Sequence, residues 1–232
     1  TAQVRSLTAL QIVALSTTQV SSLISTDIAA LTTVQIKNLS STQVGILSTT
    51  QVAAMTSAHI RALSTDQITV LSSTQTAALS TTQITGFVSA QINALTTMQI
   101  ASLGTTGINV FTTQQVRSLN STQVSSLTVT QMGVLTTAQI RVLTTGQVKG
   151  LSTTQIAQFS TSQVIGLSTA QIAALSTDQV AGIGSTDFAV LTSAQIKGFT
   201  RDQLGSLTTT QFSGLGSTQV NAMTPAQVSR LF

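Results

Sequence analysis

Several residue types that often carry chemistry are absent or nearly absent from this chain. It has no cysteine, tryptophan or tyrosine, and only one histidine and one proline. The lack of cysteine excludes disulfides and thiolate metal sites. Only 6% of the residues are charged, against roughly 25% in typical soluble proteins. Hydroxyl and amide side chains must therefore supply most of the polar surface.

The few charges and the apolar residues are both dispersed along the chain. Nine lysines and arginines and five acidic residues give a formal net charge of +4 at pH 7. Nucleic-acid-binding proteins usually carry clustered bases, and no run of bases occurs here, so we expect no nucleic-acid binding. The mean hydropathy is positive, but serine, threonine and glutamine interrupt every apolar run well before about 18 residues. We therefore expect no membrane insertion.

What the chain does contain is one eight-residue pattern, repeated without insertion. A partial copy in residues 1–7 is followed by 28 octads in residues 8–231, of which residues 168–175 are representative. A short fixed period is typical of a solenoid, in which each repeat contacts only its neighbours. We expect a single continuous repeat domain over residues 1–232. Because the chain starts within an octad and without methionine, we expect it to belong to a longer protein.

Two positions of the octad are apolar when the octads are numbered from Thr8. Position 5 is isoleucine or valine in most copies, and Thr76 is its one polar occupant. Position 8 is leucine in most copies and is never polar. Two apolar residues three apart lie on one face of a helical turn, whereas in a strand they would point to opposite faces. The pair predicts a buried helix face.

Positions 1 and 4 together indicate a helix start. Position 1 is serine or threonine in most copies and position 4 is glutamine in nearly all, which is the spacing of a capping box. The preceding position 8 and the following position 5 are placed as a hydrophobic staple. Pro225 falls at the first helical position, where proline is favoured.

Octads without serine or threonine at position 1 can still begin a helix near that position. Where Ile24 and Val88 occupy it, we expect the following Ser25 and Ser89 to cap the helix one residue late. The other exceptions are acceptable N-caps, namely Gly104, Asn120, Gly184 and Gly216. Glycine at position 7 suggests a tight helix exit, and it occurs at Gly86, Gly150, Gly166, Gly182, Gly198 and Gly214.

The charged residues follow the polarity that a helix dipole favours, with acids early and bases late. The acids all lie at the second or third helical position, at Asp27, Asp66, Asp178, Asp187 and Asp202. Most bases lie at position 6, near the helix end, at Arg5, Lys37, Arg61, Arg117, Arg141, Lys149 and Lys197. Each octad therefore indicates its own short helix.

These patterns predict an all-α solenoid with one very short helix per octad. In a single long helix the apolar stripe would drift by about 80° per octad, and a six-residue helix is unstable alone, so the octads must stack. The spacing of the bases suggests three to four octads per superhelical turn, which would gather them into a loose stripe. Glutamine would face water or the next coil. The alternative is a β-solenoid, because threonine, valine and isoleucine favour strands.

No group of residues in the sequence has the composition of an active site. His59 replaces glutamine at position 4 and has no ligand or acid–base partner near it in sequence, so we interpret it as a capping substitute. Gly107, also at position 4, is interpreted as a local defect that loses half a capping box. Asn120 begins a possible N-glycosylation motif. We predict no catalytic residue, no metal ligand and no cofactor.

The spacing Leu-Thr-Thr-x-Gln-Ile/Val-x-x-Leu, seen at residues 135–143, resembles octapeptide arrays of very large bacterial surface or secreted proteins. The resemblance covers the whole chain. It implies an adhesive or structural role outside the cell and gives no catalytic or binding residue.

Two functions are consistent with the sequence. The first is a non-catalytic segment of an extracellular or cell-surface fibre, stalk or adhesin, which associates end to end or continues in a longer array. The second is a threonine-rich repetitive surface that binds ice or a polysaccharide. The expected partners are copies or neighbouring repeats of the same protein, with a surface or glycan ligand as a further possibility.

Overall fold

In a computed structural model, residues 2–229 are described, and this part of the chain contains 29 helices of four to six residues and no strand. One helix lies in each octad. The prediction of an all-α solenoid of very short helices is confirmed, and the β-solenoid alternative is wrong.

The chain divides into two compact units, one up to Leu119 and one from Asn120. The first unit contains α1 (Ala2–Ser6), α2 (Ala9–Ala14), α3 (Thr17–Ser22), α4 (Ser25–Ala30), α5 (Thr33–Asn38), α6 (Ser41–Gly45), α7 (Thr49–Ala53), α8 (Ser57–Ala62), α9 (Thr65–Thr69), α10 (Ser73–Ala77), α11 (Thr81–Ile84), α12 (Ser89–Ala94), α13 (Thr97–Ser102), α14 (Gly104–Asn109) and α15 (Thr113–Ser118). The second contains α16 (Ser121–Ser125), α17 (Val129–Gly133), α18 (Thr137–Arg141), α19 (Thr145–Lys149), α20 (Thr153–Ala157), α21 (Thr161–Gly166), α22 (Thr169–Ala174), α23 (Thr177–Ala181), α24 (Ser185–Val190), α25 (Ser193–Gly198), α26 (Arg201–Gly205), α27 (Thr209–Ser213), α28 (Ser217–Asn221) and α29 (Pro225–Val228). One continuous domain over residues 1–232 stays a prediction.

The capping box starts each regular helix as the sequence predicts. Before α22, Ser168 has extended backbone angles (φ −75°, ψ 159°). Its hydroxyl accepts the Gln171 N–H at 3.3 Å, and the Gln171 Oε1 accepts the Ser168 N–H at 2.7 Å. Leu175 returns to extended angles and ends the helix. Pro225 occupies the first turn of α29, as expected.

The core consists of positions 5 and 8. In the representative octad, Ile172 is fully buried and Leu175 is 4% exposed. Burial of one such side chain stabilises the fold by roughly 1.5–3 kcal/mol. Most phenylalanines at these positions lie in the same core, although Phe212 is only half-buried. The rings of Phe188 and Phe199 stack with centroids 5.8 Å apart.

Layers form because each helix packs on the helix three octads away. In the first unit α2 packs on α5 and α5 on α8, and in the second α16 packs on α19 and α19 on α22. The start of each helix reaches the end of the helix four octads earlier: Gln43 donates to the carbonyls of Ile12 and Leu15, 31 and 28 residues before it. Each turn therefore holds between three and four octads, as predicted. Each helix lies across the junction of two helices in the preceding layer.

Three expectations about helix ends are wrong. Ser25 and Ser89 do not cap late, because α4 and α12 begin at these residues after extended Ile24 and Val88. Burial of positions 5 and 8 keeps the helix start at the same octad position even where the N-cap side chain makes no hydrogen bond. Gly104 is not an N-cap: it has φ +63° and is the first residue of α14, which follows helical Leu103.

The glycines at position 7 provide close approach between layers, and not a left-handed helix exit. Gly182 and Gly214, for example, have φ values of −74° and −73°. A Cβ at Gly182 would lie 3.0 Å from the Thr153 carbonyl oxygen, and one at Gly86 would lie 2.7 Å from the Ser57 carbonyl oxygen. Each of these carbonyls belongs to position 2, three octads earlier. The end of one helix therefore packs directly on the start of another.

Candidate functional surface

The glutamine at position 4 links the layers to one another. Gln83 is 2% exposed. Its Oε1 accepts the Ser80 N–H at 2.7 Å, so one end of the amide caps its own helix. Its Nε2 donates to the carbonyls of Val52 at 2.8 Å and Met55 at 2.7 Å, four octads earlier. One side chain therefore satisfies polar groups in two layers at once.

This arrangement recurs in both units. Glutamines that cap their own helix and donate to the earlier layer include Gln35, Gln43, Gln51, Gln67, Gln75, Gln83, Gln91, Gln99, Gln115, Gln155, Gln163, Gln171, Gln179, Gln195, Gln203, Gln211, Gln219 and Gln227. Over residues 2–229, every buried side-chain nitrogen and oxygen has a hydrogen-bond partner.

Sequence reasoning identified the capping role of glutamine and missed its specific bonds to the earlier layer. A signal was present, because a capping box accepts glutamate as readily as glutamine and all five acids of this chain are aspartates. Glutamate has no donor for a carbonyl of the preceding layer. The absence of glutamate where glutamine is so frequent indicates that both ends of the glutamine side chain are needed.

His59 reproduces the glutamine geometry with an imidazole. Its Nδ1 accepts the Thr56 N–H at 3.2 Å, and its Nε2 lies 2.8 Å from the Leu31 carbonyl oxygen, to which it must donate. This pairing requires the neutral ring with the proton on Nε2. Burial lowers the pKa of His59, although the bond to the Leu31 carbonyl opposes this shift. The prediction of a capping substitute is confirmed.

Asp187 and Gly107 stand at position 4 without making the glutamine link. The Asp187 carboxyl is held by the Gly184 backbone, and burial raises its pKa. A Cβ at Gly184 would lie 2.8 Å from the Asp187 Oδ2, so glycine fits beside the shorter acid. Gly107 has no side chain, and α14 begins without a side-chain cap. The predicted defect at Gly107 is confirmed.

The possible N-glycosylation motif begins at Asn120. The Asn120 Oδ1 accepts the Gln123 N–H at 2.9 Å, so Asn120 is an exposed N-cap. Among residues 2–229, no group of three or more histidine, aspartate or glutamate side chains could hold a metal ion. No helix in this range has the length and hydropathy to span a membrane.

The outer surface carries most of the charged side chains and the hydroxyls of position 2. In the first unit the layering brings several bases to one side. Gln35, at the start of α5, donates to the Arg5 carbonyl at 3.3 Å, so Lys37 of α5 lies in the layer directly after Arg5. Helix α5 packs on α8, which carries Arg61.

The same side continues through two more layers. Gln91, at the start of α12, donates to the Arg61 carbonyl at 3.4 Å, and α12 packs on α15, which carries Arg117. Position 6 of α12 is Asn93, whose Nδ2 donates to the Ser118 carbonyl at 3.3 Å. We call these five position-6 residues the donor column: Arg5, Lys37, Arg61, Asn93 and Arg117.

Comparison with known families identifies the octad. A model described as the ALTTAQ repeat matches residues 22–57, 53–81, 77–105, 130–161 and 180–215, more than half of the chain. The chain belongs to the ALTTAQ repeat family. The six letters of that description correspond to positions 7, 8, 1, 2, 3 and 4 of the octad, so they contain the buried leucine, the N-cap and the linking glutamine. No curated protein matches the chain.

Proposed function

We propose that this ALTTAQ array is a non-catalytic structural segment of an extracellular or cell-surface fibre, stalk or adhesin. The observation that supports the proposal is the glutamine link. Gln83 satisfies buried groups in its own helix and in the helix four octads earlier. Because any octad with glutamine at position 4 can make this contact, octads can be added without changing the fold.

The chemistry of the polar side chains supports a role without catalysis. Both ring nitrogens of His59 are engaged by backbone groups. The N-cap hydroxyls, such as that of Ser80, accept backbone N–H bonds and have no general base to activate them as nucleophiles. The proposal includes association end to end or continuation in a longer array.

The proposed structural role can be tested by joining two copies so that the octad pattern either continues or is interrupted at the junction. Two copies of residues 8–231 are joined directly in one variant, and through four extra residues in a matched control. We expect the direct fusion to melt in one transition at a higher temperature than the single copy, while the control retains the melting temperature of the single copy. Equal melting of the two fusions would contradict an extendable stack. Electron microscopy should show that the direct fusion extends as one particle.

Location requires a separate experiment in the source cells. Antibodies against the segment, combined with protease treatment of intact cells, measure whether it is outside. We expect antibody binding and loss of the segment after proteolysis, with a cytosolic protein as the intact control. A segment that is protected until the cells are lysed would contradict an extracellular role.

A polysaccharide-binding surface is the second candidate, favoured by exposed hydroxyls at position 2, such as those of Thr33 and Thr113. Ice is a poorer ligand for these side chains. Because each helix lies across a junction of the preceding layer, we expect position-2 hydroxyls to be offset between layers, whereas ice binding requires a flat, regular array. We expect no thermal hysteresis, whereas a glycan panel should show binding.

A further inference from the structure

We propose that the donor column binds a linear acidic polysaccharide that runs across the layers of the first unit. This inference deepens the polysaccharide-binding alternative and is independent of end-to-end assembly. Its basis is that four of five successive layers place a cation at the same octad position, while the amide of Asn93 in the remaining layer donates to the Ser118 carbonyl. The cationic members, Arg5, Lys37, Arg61 and Arg117, are all exposed.

The spacing of the column favours a polymer with sparse charges. Helices pack roughly 8–10 Å apart, so the column offers about one donor per layer. A nucleic-acid strand carries a phosphate about every 3.4 Å, and most of its charges would face no base. A polyuronate or a similar glycan carries carboxylates among many hydroxyls, which suits widely spaced cations.

The groups beside the column also favour a sugar polymer. Thr33 and Thr113 are exposed at the first turn of α5 and α15 and can bond sugar hydroxyls. Single-stranded nucleic acids are usually held by base stacking on aromatic side chains. The phenylalanines of the first unit, Phe87 and Phe111, are only 3% and 4% exposed.

One acidic residue lies against the column. Asp66 is exposed in α9, and the next residue, Gln67, donates to the Lys37 carbonyl at 3.4 Å. Asp66 therefore lies on a helix that bonds to the helix of Lys37, and its negative charge should weaken the positive field of the column. This position provides a variant that should strengthen binding, in contrast to variants that remove a base.

The first test compares two triple variants of equal net charge. One replaces Lys37, Arg61 and Arg117 by glutamine within the column, and the other introduces aspartate at Thr18, Thr42 and Thr74, which are exposed on α3, α6 and α10, helices that carry no member of the column. Binding of sodium polygalacturonate is measured by calorimetry at low and physiological salt. We expect about tenfold weaker binding for the column variant and less than a twofold change for the control. Equal losses would overturn the proposal, because net charge would then explain the binding.

The second test does not depend on a loss of binding. Asp66→Asn should bind polygalacturonate about twofold more tightly than the wild type, whereas Asp202→Asn should not, because Asp202 has the same octad position but alanine at position 6 four octads earlier. Tighter binding of oligothymidylate than of polygalacturonate would overturn the assignment to a glycan. Binding of neutral dextran without binding of polygalacturonate would overturn the column and leave the hydroxyl-based candidate intact.

Discussion

Two neighbouring octads of the first unit, residues 104–111 and residues 112–119, differ in how their helix begins and in how position 4 bonds to the earlier layer. The second octad has a capping box at Thr112, and its Gln115 donates to the Ile84 and Phe87 carbonyls. The first has neither contact. Both nevertheless contain a helix of six residues with a buried position 5.

The difference separates what makes a helix from what links the layers. Ile108 is fully buried and Phe111 is 4% exposed in the irregular octad, so core packing alone suffices to keep a short helix. Only the start of the helix changes. Leu103 stays helical and Gly104 turns the chain at φ +63°. The glutamine is therefore needed less for helix formation than for satisfying the buried carbonyls of the preceding layer.

The largest expected effect comes from removing that link in a regular octad. Gln83→Leu removes the acceptor of the Ser80 N–H and the donor to the Val52 and Met55 carbonyls, and we expect a loss of about 3 kcal/mol in the free energy of unfolding. Gln19→Leu is the matched control, because Gln19 is exposed and its side chain accepts only the Ser16 N–H. It should cost about 1 kcal/mol. Urea denaturation of both variants measures the difference, and equal losses would show that capping alone matters.

A pair of glycines should sharpen the distinction between layer contact and helix propensity. Gly86→Ala places a Cβ 2.7 Å from the Ser57 carbonyl oxygen, and we expect about 2 kcal/mol of destabilisation from the forced shift. Gly133 lies at exposed position 6 with nothing within 4 Å of a built Cβ. Gly133→Ala should stabilise the protein by about 0.5–1 kcal/mol. Changes of the same sign in denaturation midpoints would contradict the close-approach explanation.

The turn at Gly104, in the octad of residues 104–111, can be tested by substitution. A Cβ at Gly104 meets nothing within 4 Å, so Gly104→Ala should cost only the backbone strain of a positive φ, about 1 kcal/mol. Gly104→Asn should cost less, because asparagine tolerates this conformation better. Thermal melting of the two variants tests the order. An unchanged melting temperature for Gly104→Ala would contradict this prediction. It would indicate that α14 can begin from an extended residue, as α15 does at Thr112.

The smallest expected effect concerns pH. Burial lowers the pKa of His59 in the folded protein below its usual value of 6.5, so protonation is less favourable in the folded than in the unfolded chain. Stability should therefore be complete above about pH 6.5 and decrease as the pH falls below it. A protonated Nδ1 could no longer accept the Thr56 N–H. His59→Gln should remove this slope between pH 7 and 5, and identical slopes for the two proteins would contradict the tautomer assignment.

Local rules in the sequence predicted most of the fold, because caps, staples and apolar spacing act within one octad. Thr8 and Ser168 cap as expected, and Pro225 begins its helix. Interlayer features could not be predicted as well, since they depend on which residue lies 28 to 31 positions away. The size limit at Gly86 is of this kind, and so is the donor role of the glutamines. The donor column was foreseen only as a loose stripe, because its definition needs the observed stacking order.

The fixed reach of the glutamine amide has a consequence for how the chain acquires structure. The Nε2 of Gln51 finds its acceptors, Val20 and Leu23, only after the octad four places upstream has already formed. Contacts of constant sequence separation keep the loop-closure cost per layer the same however long the array becomes. We infer that such a chain, synthesised from its amino end, folds layer by layer, with each new octad packing on the layer formed just before it.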